Sequence, residues 1–295
     1  MKVFVTGSSS RLAAALLPRL CAQPGVEQVT GIDLRPPAYH HPKFHASIAD
    51  FRSAELESMV AGHGGFVHLG FVVLRGRRPE QDMFDINVTG SLKAFHAARR
   101  AGALRLVHLS SAAVYGGGVH LREDAPLEPP PGFLYAQHKA RLEQLLELEF
   151  PECVRLRPHV ILGPNAQPVL RQLLNQPFHI RLPEPQPLLQ CVHEDDVARA
   201  VCSALERDVR GAFNLATEDS FSFREALRRR HRLTLPLPAS AAAVLARFAW
   251  RLFGWGGEPA WVEGLARTLL LNCRRAALEL NWRSSRSALE IVEEI

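Results

Sequence analysis

The sequence lacks the patterns that would assign the chain to several common functional classes. Its 5 cysteines include no C-x-x-C pair, so free thiols in a reducing compartment explain them better than disulfides or a zinc site. No apolar run is long enough to cross a bilayer, and the chain begins on an apolar strand pattern instead of a signal peptide. We therefore expect a cytoplasmic protein with no transmembrane segment and no metal ion.

Charge of one sign is not concentrated anywhere in the chain. There are 35 lysines and arginines against 30 aspartates and glutamates, which gives a formal net charge of +5. The densest basic run, at residues 228–232, has the composition of a solvated helix end. We expect no nucleic-acid partner, and the mildly positive charge favours an anionic cofactor or a small-molecule substrate that is anionic.

The first half of the sequence does contain a regular alternation of short apolar runs and helical patterns. The apolar runs predict strands at residues 3–5, 26–32, 43–47, 66–69, 104–109 and 154–156. Apolar residues at helical spacing predict helices at residues 11–22, 81–101 and 133–149. Because such alternation implies parallel pairing and right-handed crossovers, we expect an α/β fold with a Rossmann-type doubly wound parallel sheet.

The composition and the pattern of the sequence change beyond about residue 160. Prolines crowd residues 164–187, and the alternation of strands and helices stops. We expect residues 1–160 to form the dinucleotide-binding core and residues 161–295 mainly a smaller C-terminal substrate-binding lobe, with residues 188–217 returning to the core. The apolar pattern at residues 239–254 predicts a packed helix, a lid over an apolar substrate, or a contact with a membrane surface or partner.

The turn after the first strand, at residues 6–13, lies where a dinucleotide-binding turn belongs. Gly7 can supply the tight turn, Ser10 stands where a second glycine is usual, and Ala13 lets helix and strand pack closely. Backbone N–H groups and the positive end of the helix dipole would face a pyrophosphate there. A serine-capped turn without a ligand has a similar sequence. The residues expected to contact the cofactor in this turn are Gly7, Ser10, Arg11 and Leu12.

Acidic residues follow the second and third predicted strands. Asp33 has the spacing from Gly7 expected of the acid that binds the ribose diol, and a carboxylate there favours NAD over NADP. Arg35 would offset the repulsion of a 2′-phosphate, so NADP stays possible. Asp50 is either an adenine contact or the cap of a helix at residues 52–60.

Three residues at the ends of later elements have the types needed for proton transfer. Ser111 follows the fifth predicted strand, and Tyr135 and Lys139 lie one turn apart on the next helix. A tyrosine hydroxyl has a pKa of about 10, and a neighbouring lysine ammonium favours the phenolate. Tyr135 can then exchange a proton with a substrate hydroxyl while Ser111 holds the same oxygen.

Taken together, these segments resemble the extended short-chain dehydrogenase/reductases of the NAD-dependent epimerase/dehydratase family. The matching segments follow the family's order from residue 3 to about 215. They are Val5-Thr6-Gly7, Asp33, Val67-His68-Leu69, Asn87-Val88-Thr89-Gly90, residues 109–116, Tyr135 through Lys139, Leu156-Arg157-Pro158, Gly163-Pro164, residues 192–198 and Phe213-Asn214.

The resemblance implies roles for residues that spacing alone does not single out. By resemblance Ser111 is the catalytic serine, Tyr135 the acid/base and Lys139 its partner, which also reaches the nicotinamide ribose. Family members often dimerise through the helices at residues 81–101 and 133–149, so a homodimer is expected. The resemblance adds further residues to the expected cofactor site: Leu69, Asn87 and Pro158.

Two departures from the family pattern narrow the expected reaction. Ala112-Ala113 replaces the Asp-Glu pair that the family's 4,6-dehydratases carry, so dehydration is not expected. Leu188, Leu189 and Gln190 stand where nucleotide-sugar epimerases usually carry an arginine. The residues that could serve instead are His159, Asn165, Arg171, His179 and Arg181. A histidine at such a position is more often a surface residue or a hydrogen-bonded core residue than a ligand contact.

We therefore expect an NAD(P)-dependent oxidoreductase acting on a secondary alcohol or ketone. The first alternative is a nucleotide-sugar epimerase that works through a transient ketone. The second is a non-catalytic dinucleotide-binding sensor, since the turn carries Ser10 and Ala13 in place of glycines. The basic loop at residues 75–78 either binds an anionic substrate group or is simply solvated.

Overall fold

The computed structural model describes residues 1–166, 178–181, 186–229, 235–238 and 267–294. The strands are β1 (Lys2–Thr6), β2 (Gln28–Asp33), β3 (Phe44–Ile48), β4 (Gly65–His68), β5 (Arg105–Leu109), β6 (Gly118–Leu121), β7 (Val154–Pro158), β8 (Val160–Leu162), β9 (Phe178–Arg181), β10 (Leu188–Leu189), β11 (Cys191–His193), β12 (Gly211–Leu215), β13 (Phe221–Ser222), β14 (Leu235–Pro238) and β15 (Leu269–Leu271). The α-helices are α1 (Arg11–Ala22), α2 (Leu56–Val60), α3 (Glu80–Phe84), α4 (Ser91–Arg100), α5 (Leu134–Glu149), α6 (Glu194–Glu206), α7 (Phe223–Arg229), α8 (Arg274–Glu279) and α9 (Ala288–Glu293).

The centre of the fold is a parallel sheet of 7 strands in the order β3-β2-β1-β4-β5-β7-β12. The chain builds outward from β1 to β3 on one side, then crosses back to β4 and builds outward on the other side. The predicted α/β class and Rossmann-type sheet are confirmed. In such a sheet the crevice between β1 and β4, at the carboxyl ends of the strands, is where ligands bind.

Helices cover both faces of the central sheet because its strands are apolar on both sides. Along β1, Val3 and Val5 pack in a core that contains α1 and α6, whereas Phe4 faces the opposite core, which contains α4 and α5. Successive side chains of a strand point to opposite faces, so each strand feeds two cores. This double burial explains why the strands appear in the sequence as continuous apolar runs.

The helix predicted at residues 81–101 contains a wider turn in its middle. It consists of α3, a π-helical turn at Asp85–Gly90, and α4. Such a turn adds one residue to a helix and is frequent at functional sites. Here it carries Asn87 in a fully buried position next to the crevice.

In the described part of the chain, three smaller sheets lie outside the central one. β13, β10, β15 and β6 form a sheet of 4 strands, while β8 pairs with β11 and β9 with β14. Among the described residues, none of the helices has both the length and the hydropathy needed to span a bilayer. The apolar pattern at residues 239–254, the tryptophans at 250, 255 and 261, Arg171 and the side chains of His179 and Arg181 lie outside what the structure describes.

Candidate active site

The predicted cofactor turn lies at the switch point between β1 and β4. Gly7 has a φ of 73°, and its backbone N–H donates to the Ile32 carbonyl at 2.8 Å. A β-carbon on Gly7 would lie 2.6 Å from the backbone nitrogen of Gly70, which follows β4. Gly7 is therefore required both for its left-handed conformation and for the close approach of the two chain segments.

Ser10, at the usual place of a second glycine, adopts an ordinary backbone conformation. Its φ and ψ are −72° and 162°, and its side chain accepts a hydrogen bond from the Ala13 backbone at 3.3 Å. It is thus the N-cap of α1, a position that serine favours. The turn keeps its helix N terminus without a glycine at this place.

The other two turn residues with expected cofactor contacts, Arg11 and Leu12, face different surroundings. The Arg11 guanidinium donates to the Ala166 carbonyl at 3.4 Å, so it reaches the start of the C-terminal half. The Leu12 side chain is buried in the core beneath α1, which leaves only its backbone at the turn.

Asp33, at the end of β2, is connected to the turn through backbone groups. Its carboxylate accepts hydrogen bonds from the backbone of Ser9 at 3.0 Å and of Arg35 at 3.3 Å. A cavity of about 410 Å³ adjoins this point and is lined by Ser8, Ser9, Ser10, Ala14, Leu17 and residues 35–39. Among the described residues, nothing bonds the buried hydroxyl of Ser8. We call residues 7–13 together with Asp33 the cofactor end of the site.

Asp50, at the end of β3, pairs with a neighbour in sequence. Its carboxylate accepts from the Arg52 backbone at 2.9 Å and forms an ion pair with the Arg52 guanidinium at 2.5 Å. The hydrogen bond from the Arg52 side chain is the largest cause that lowers the pKa of Asp50. The short helix that follows begins only at Leu56, so Asp50 closes the turn before that helix.

Ser111, Tyr135 and Lys139 come together at the carboxyl end of β5. Ser111 begins a 3₁₀ turn at Ala112–Tyr115, and its hydroxyl accepts from the Ala113 backbone at 3.2 Å. Burial raises the pKa of Tyr135 to about 12, while interaction with the Ser111 side chain opposes the rise. The phenol is therefore protonated at neutral pH in these surroundings.

Lys139 is buried one helical turn beyond Tyr135. Its ammonium nitrogen donates to the Leu109 carbonyl at 2.5 Å and lies 3.5 Å from the centre of the Phe71 ring and 5.9 Å from that of Tyr135. Burial lowers the pKa of Lys139 well below its usual value, and the nearby carboxylate of Glu143 opposes this shift. The charge of Glu143 thus competes with the cost of burying the ammonium group.

Asn87 was predicted from the sequence as a residue of this site. The loop after β4, to which its side chain is bonded, was not predicted. The Asn87 side chain accepts from the Val72 backbone N–H at 2.7 Å and donates to the Val72 carbonyl at 2.9 Å. This pair of bonds fixes the loop after β4, and with it the Phe71 ring, which meets the Tyr135 ring edge-on at a centroid distance of 5.7 Å. No sequence pattern distinguishes Phe71, because its contacts come from α5.

A buried ionic cluster lies beneath Lys139 and was also missed. The Glu143 carboxylate is paired with the Arg157 guanidinium at 2.6 Å, and it accepts a short hydrogen bond from Ser110. The spacing of four residues between Lys139 and Glu143 was the available sequence signal. Ser111, Tyr135, Lys139, Glu143 and Arg157 are called the catalytic end below.

Two remaining expected cofactor residues lie on the same edge of the sheet. Leu69 follows β4 and its backbone donates to the Thr6 carbonyl at 3.0 Å, beside the turn. Pro158 ends β7 and is paired in register with Leu215 of β12. Within the described part of the chain, no cluster of histidine, cysteine or acidic side chains has a composition suited to a metal ion.

Several candidate substrate residues instead make contacts within the fold. The Gln190 amide donates to the Thr217 carbonyl and accepts from the Leu271 backbone, both at 2.7 Å. His159 contacts the Leu269 carbonyl at 3.1 Å, and the Asn165 side chain donates to Glu194 at 2.8 Å. Arg75, in the basic loop, is paired with Glu80 at 2.9 Å. These side chains already have partners that hold the fold together.

Comparison with known proteins gives several relatives of low identity. An uncharacterized protein of Mycobacterium bovis is 24% identical over 258 residues, which cover 80% of this chain and 67% of that protein. A UDP-glucose 4-epimerase of Mycolicibacterium smegmatis is 29% identical over 187 residues, which cover 57% of this chain and 58% of the epimerase.

Solved structures share the whole fold. A UDP-glucuronic acid 4-epimerase from Bacillus cereus in complex with NAD has a TM-score of 0.79 at 17% identity, covering 100% of this chain and 97% of that one. A UDP-glucose 4-epimerase from Thermotoga maritima, solved with UDP-glucose, has a TM-score of 0.77 at 18% identity, with the same coverage. At these identities the likeness shows the fold.

The family itself is shown by the sequence. The model of the NAD dependent epimerase/dehydratase family matches residues 3–216, from the first strand of the sheet to the end of its last strand. The match includes both the cofactor end and the catalytic end. The chain therefore belongs to the NAD dependent epimerase/dehydratase family.

Proposed function

We propose that this chain is an NAD-dependent oxidoreductase that acts on a secondary alcohol or ketone, with Tyr135 as the acid/base. The observation that carries the proposal is the placement of Ser111 just after β5, with the Lys139 ammonium bonded to the Leu109 carbonyl at the end of that strand and 5.9 Å from the centre of the Tyr135 ring. A binding protein without turnover has no need of a tyrosine held in this way. The proton-transfer group lies on the same edge of the sheet as the turn at Gly7.

The residues of the cofactor end fit NAD. Gly7 allows the close approach of the turn to β4, and the capped N terminus of α1 suits a pyrophosphate. Asp33 would bind the ribose hydroxyls of NAD, and its charge disfavours the 2′-phosphate of NADP. Arg11, Leu12, Asp50, Leu69, Asn87 and Pro158 complete the proposed cofactor site. When bound, NAD supplies the acceptor or donor of hydride.

The catalytic end would handle the proton. Tyr135 gives its proton to a ketone oxygen, or takes one from a hydroxyl, and Ser111 holds the same oxygen by a hydrogen bond. The ammonium of Lys139 stabilises the phenolate that remains after the proton has left. Because Ala112 and Ala113 supply no acid and base for elimination, the proposed reaction stops at oxidation or reduction.

A second candidate is a nucleotide-sugar epimerase, which uses the same proton and hydride transfer in both directions. The epimerases among the similar proteins favour it. Leu188, Leu189 and Gln190 stand where such epimerases usually carry an arginine, and the Gln190 amide already has two backbone partners. For this reason we rank a less polar alcohol or ketone first.

Two proposals concern the organisation of the chain. We propose that residues 161–295 mainly form the substrate-binding lobe on a core of residues 1–160, with the segment that contains β12 belonging to the core sheet. We also propose a homodimer through the helices α4 and α5. Light scattering of the purified chain at several concentrations would test the dimer, and a constant monomer mass would contradict it.

Turnover of a defined substrate panel tests the proposed reaction. The panel contains sugar nucleotides, hydroxy acids and steroid or lipid alcohols, each offered with NAD while absorbance at the NADH band is recorded. We expect NADH to accumulate with one alcohol class, and Tyr135→Phe to abolish this while NAD affinity, measured by calorimetry, is retained. Isomerised sugar nucleotide without NADH accumulation would favour the epimerase. Unchanged turnover of the Tyr135→Phe variant would contradict the mechanism.

A further inference from the structure

Three ionisable residues lie along one row of α5. Tyr135, Lys139 and Glu143 are each four residues apart, so they stand one above another on the same side of the helix. Lys139 is 3% exposed and Glu143 is 1% exposed. The proposed reaction uses the first two residues and gives no role to the third.

Glu143 is surrounded by donors from two strands. Arg157 of β7 donates through Nε at 2.9 Å to one carboxylate oxygen and through Nη2 at 2.6 Å to the same oxygen, and Nε also lies 3.0 Å from the other oxygen. Arg155 lies 3.8 Å away, and the Ser110 hydroxyl donates from the end of β5. The carboxylate is therefore held in a fixed position as an acceptor.

Among the residues that the structure describes, the other titratable groups around Lys139 are cationic or neutral. Along β7, Arg155 and Arg157 pair with Glu143, and along β4 and β5 the buried rings of His68 and His108 interact electrostatically with the lysine. Burial, followed by the charge of Lys139, lowers the pKa of both histidines, so both rings are neutral at pH 7. Glu143 is the carboxylate that opposes the cost of burying the Lys139 charge.

We propose that Glu143 is the counter-ion that keeps Lys139 protonated, and so acts as a positioning residue for proton transfer by Tyr135. The role in proton transfer rests on the proposed function. The effect of Glu143 on the protonation of Lys139 does not depend on it. A neutral Lys139 could not stabilise the Tyr135 phenolate. Without Glu143, the groups that the lysine faces in the described part of the chain would be cationic or neutral. Arg157 holds the Glu143 carboxylate in position. Its guanidinium also donates to the Tyr115 hydroxyl at 2.6 Å and to the Glu123 carbonyl at 2.9 Å.

Nuclear magnetic resonance of ¹³Cε-labelled lysine tests this directly, without substrate or NAD. The chain contains few lysines, namely Lys2, Lys43, Lys93 and Lys139, and Lys139→Met assigns the buried one. We expect Lys139 to be protonated at pH 7 in the unaltered chain. In Glu143→Gln we expect its titration to move down by at least about one pH unit, a tenfold change in the protonation equilibrium.

The matched control is Glu147→Gln, one turn further along α5. Glu147 is paired with Arg155 at 3.2 Å but its side chain is 65% exposed, so we expect Lys139 to titrate as in the unaltered chain. Glu143→Asp keeps the charge and should restore most of the shift. A merely structural role for Glu143 predicts similar effects of Gln and Asp on folding and no displacement of the Lys139 titration.

If Glu143→Gln does not fold, the double variant Glu143→Gln/Arg157→Met replaces it. Removing both partners avoids leaving an unpaired buried arginine. A smaller downward displacement is expected here, because the positive charge of Arg157 is lost together with the negative charge of Glu143. An unchanged Lys139 titration in either folded variant would overturn the proposal. A displaced titration combined with full turnover by Tyr135→Phe would instead leave Glu143 as the counter-ion and reject the proposed function.

Discussion

At the cofactor end, backbone atoms make most of the described contacts, whereas at the catalytic end the contacts come from buried ionisable side chains. Gly7, Ser9 and Ser10 bond through the main chain or cap a helix. Glu143 and Arg157 are 1% and 3% exposed and bond to each other. The cofactor end therefore depends mainly on the conformation of the chain. The catalytic end depends on the balance of its buried charges.

The largest effect expected from this difference is the loss of Arg157. Arg157→Leu leaves the Glu143 carboxylate buried without its principal partner, which should lower the free energy of unfolding by about 3–5 kcal/mol. Urea denaturation followed by circular dichroism measures the loss. Arg283→Leu is the control, because Arg283 and Glu218 form an ion pair with side chains 73% and 76% exposed. Equal small losses in the two variants would show that the catalytic end does not depend on its buried charges.

Gly7→Ala tests whether conformation governs the cofactor end. A left-handed backbone costs an alanine about 1–2 kcal/mol, and the β-carbon would also press on the backbone of Gly70 at 2.6 Å, adding about 1–3 kcal/mol. We expect lower thermal stability and little NAD binding in calorimetry. Gly62→Ala isolates the backbone cost, since Gly62 has a φ of 78° and nothing within 4 Å of a β-carbon. Retained NAD affinity in Gly7→Ala would mean that the two segments can separate at no cost to the site.

The buried histidines of β4 and β5, His68 and His108, should make stability depend on pH. Burial, then the charge of Lys139, lowers the pKa of His68 to about 3 and that of His108 well below its usual value. Below about pH 6.5 the unfolded chain therefore binds protons that the folded chain does not, so stability falls as the pH falls. The slope reaches about 1.4 kcal/mol per pH unit for each histidine.

His108→Leu should reduce the dependence of the free energy of unfolding on pH by the contribution of one histidine. The ring nitrogens of His108 have no hydrogen-bond partner among the described residues, so its replacement removes no bond and should raise stability at pH 5. Denaturation midpoints at pH 5 and pH 7 give the comparison, with His45→Leu on the exposed strand β3 as the control. A midpoint that responds to pH equally in both variants would contradict the assignment.

Ser10→Gly should have the smallest effect. Glycine is nearly as good an N-cap as serine, so we expect a loss of only a few tenths of a kcal/mol. The family pattern has glycine at this position, and NAD affinity should be unchanged or higher. A large loss of affinity in a calorimetric titration would show that the Ser10 hydroxyl itself binds the cofactor, which would make the two ends more alike.

What the sequence allowed us to predict was local in character. The order of strands and helices, the turn at Gly7, and the spacing of Tyr135 and Lys139 follow from neighbours along the chain. The ion pair of Glu143 with Arg157 joins α5 to β7, and the contact of Phe71 with Lys139 joins α5 to the loop after β4. These contacts depend on how elements pack, which periodicity does not specify.

The helix at residues 80–100 illustrates the same limit. Its pattern predicted a continuous helix, and the π-helical turn at Asp85–Gly90 has no periodic signal of its own. The backbone groups of Val72 accept and donate to Asn87 only because this turn aims the amide at them. Whether Asn87 also contacts NAD stays a prediction.

The wide turn also fixes how many residues the chain must have at this point. Each residue in an α-helix rotates the next by about 100°, so a single deletion within Asp85–Gly90 would turn α4 by that angle relative to α3. Phe95, now fully buried in the core, would then point away from it if Asn87 kept its bonds to Val72. Insertions and deletions here would disturb the core more than substitutions at the exposed positions, so the length of this segment should vary less than its residues.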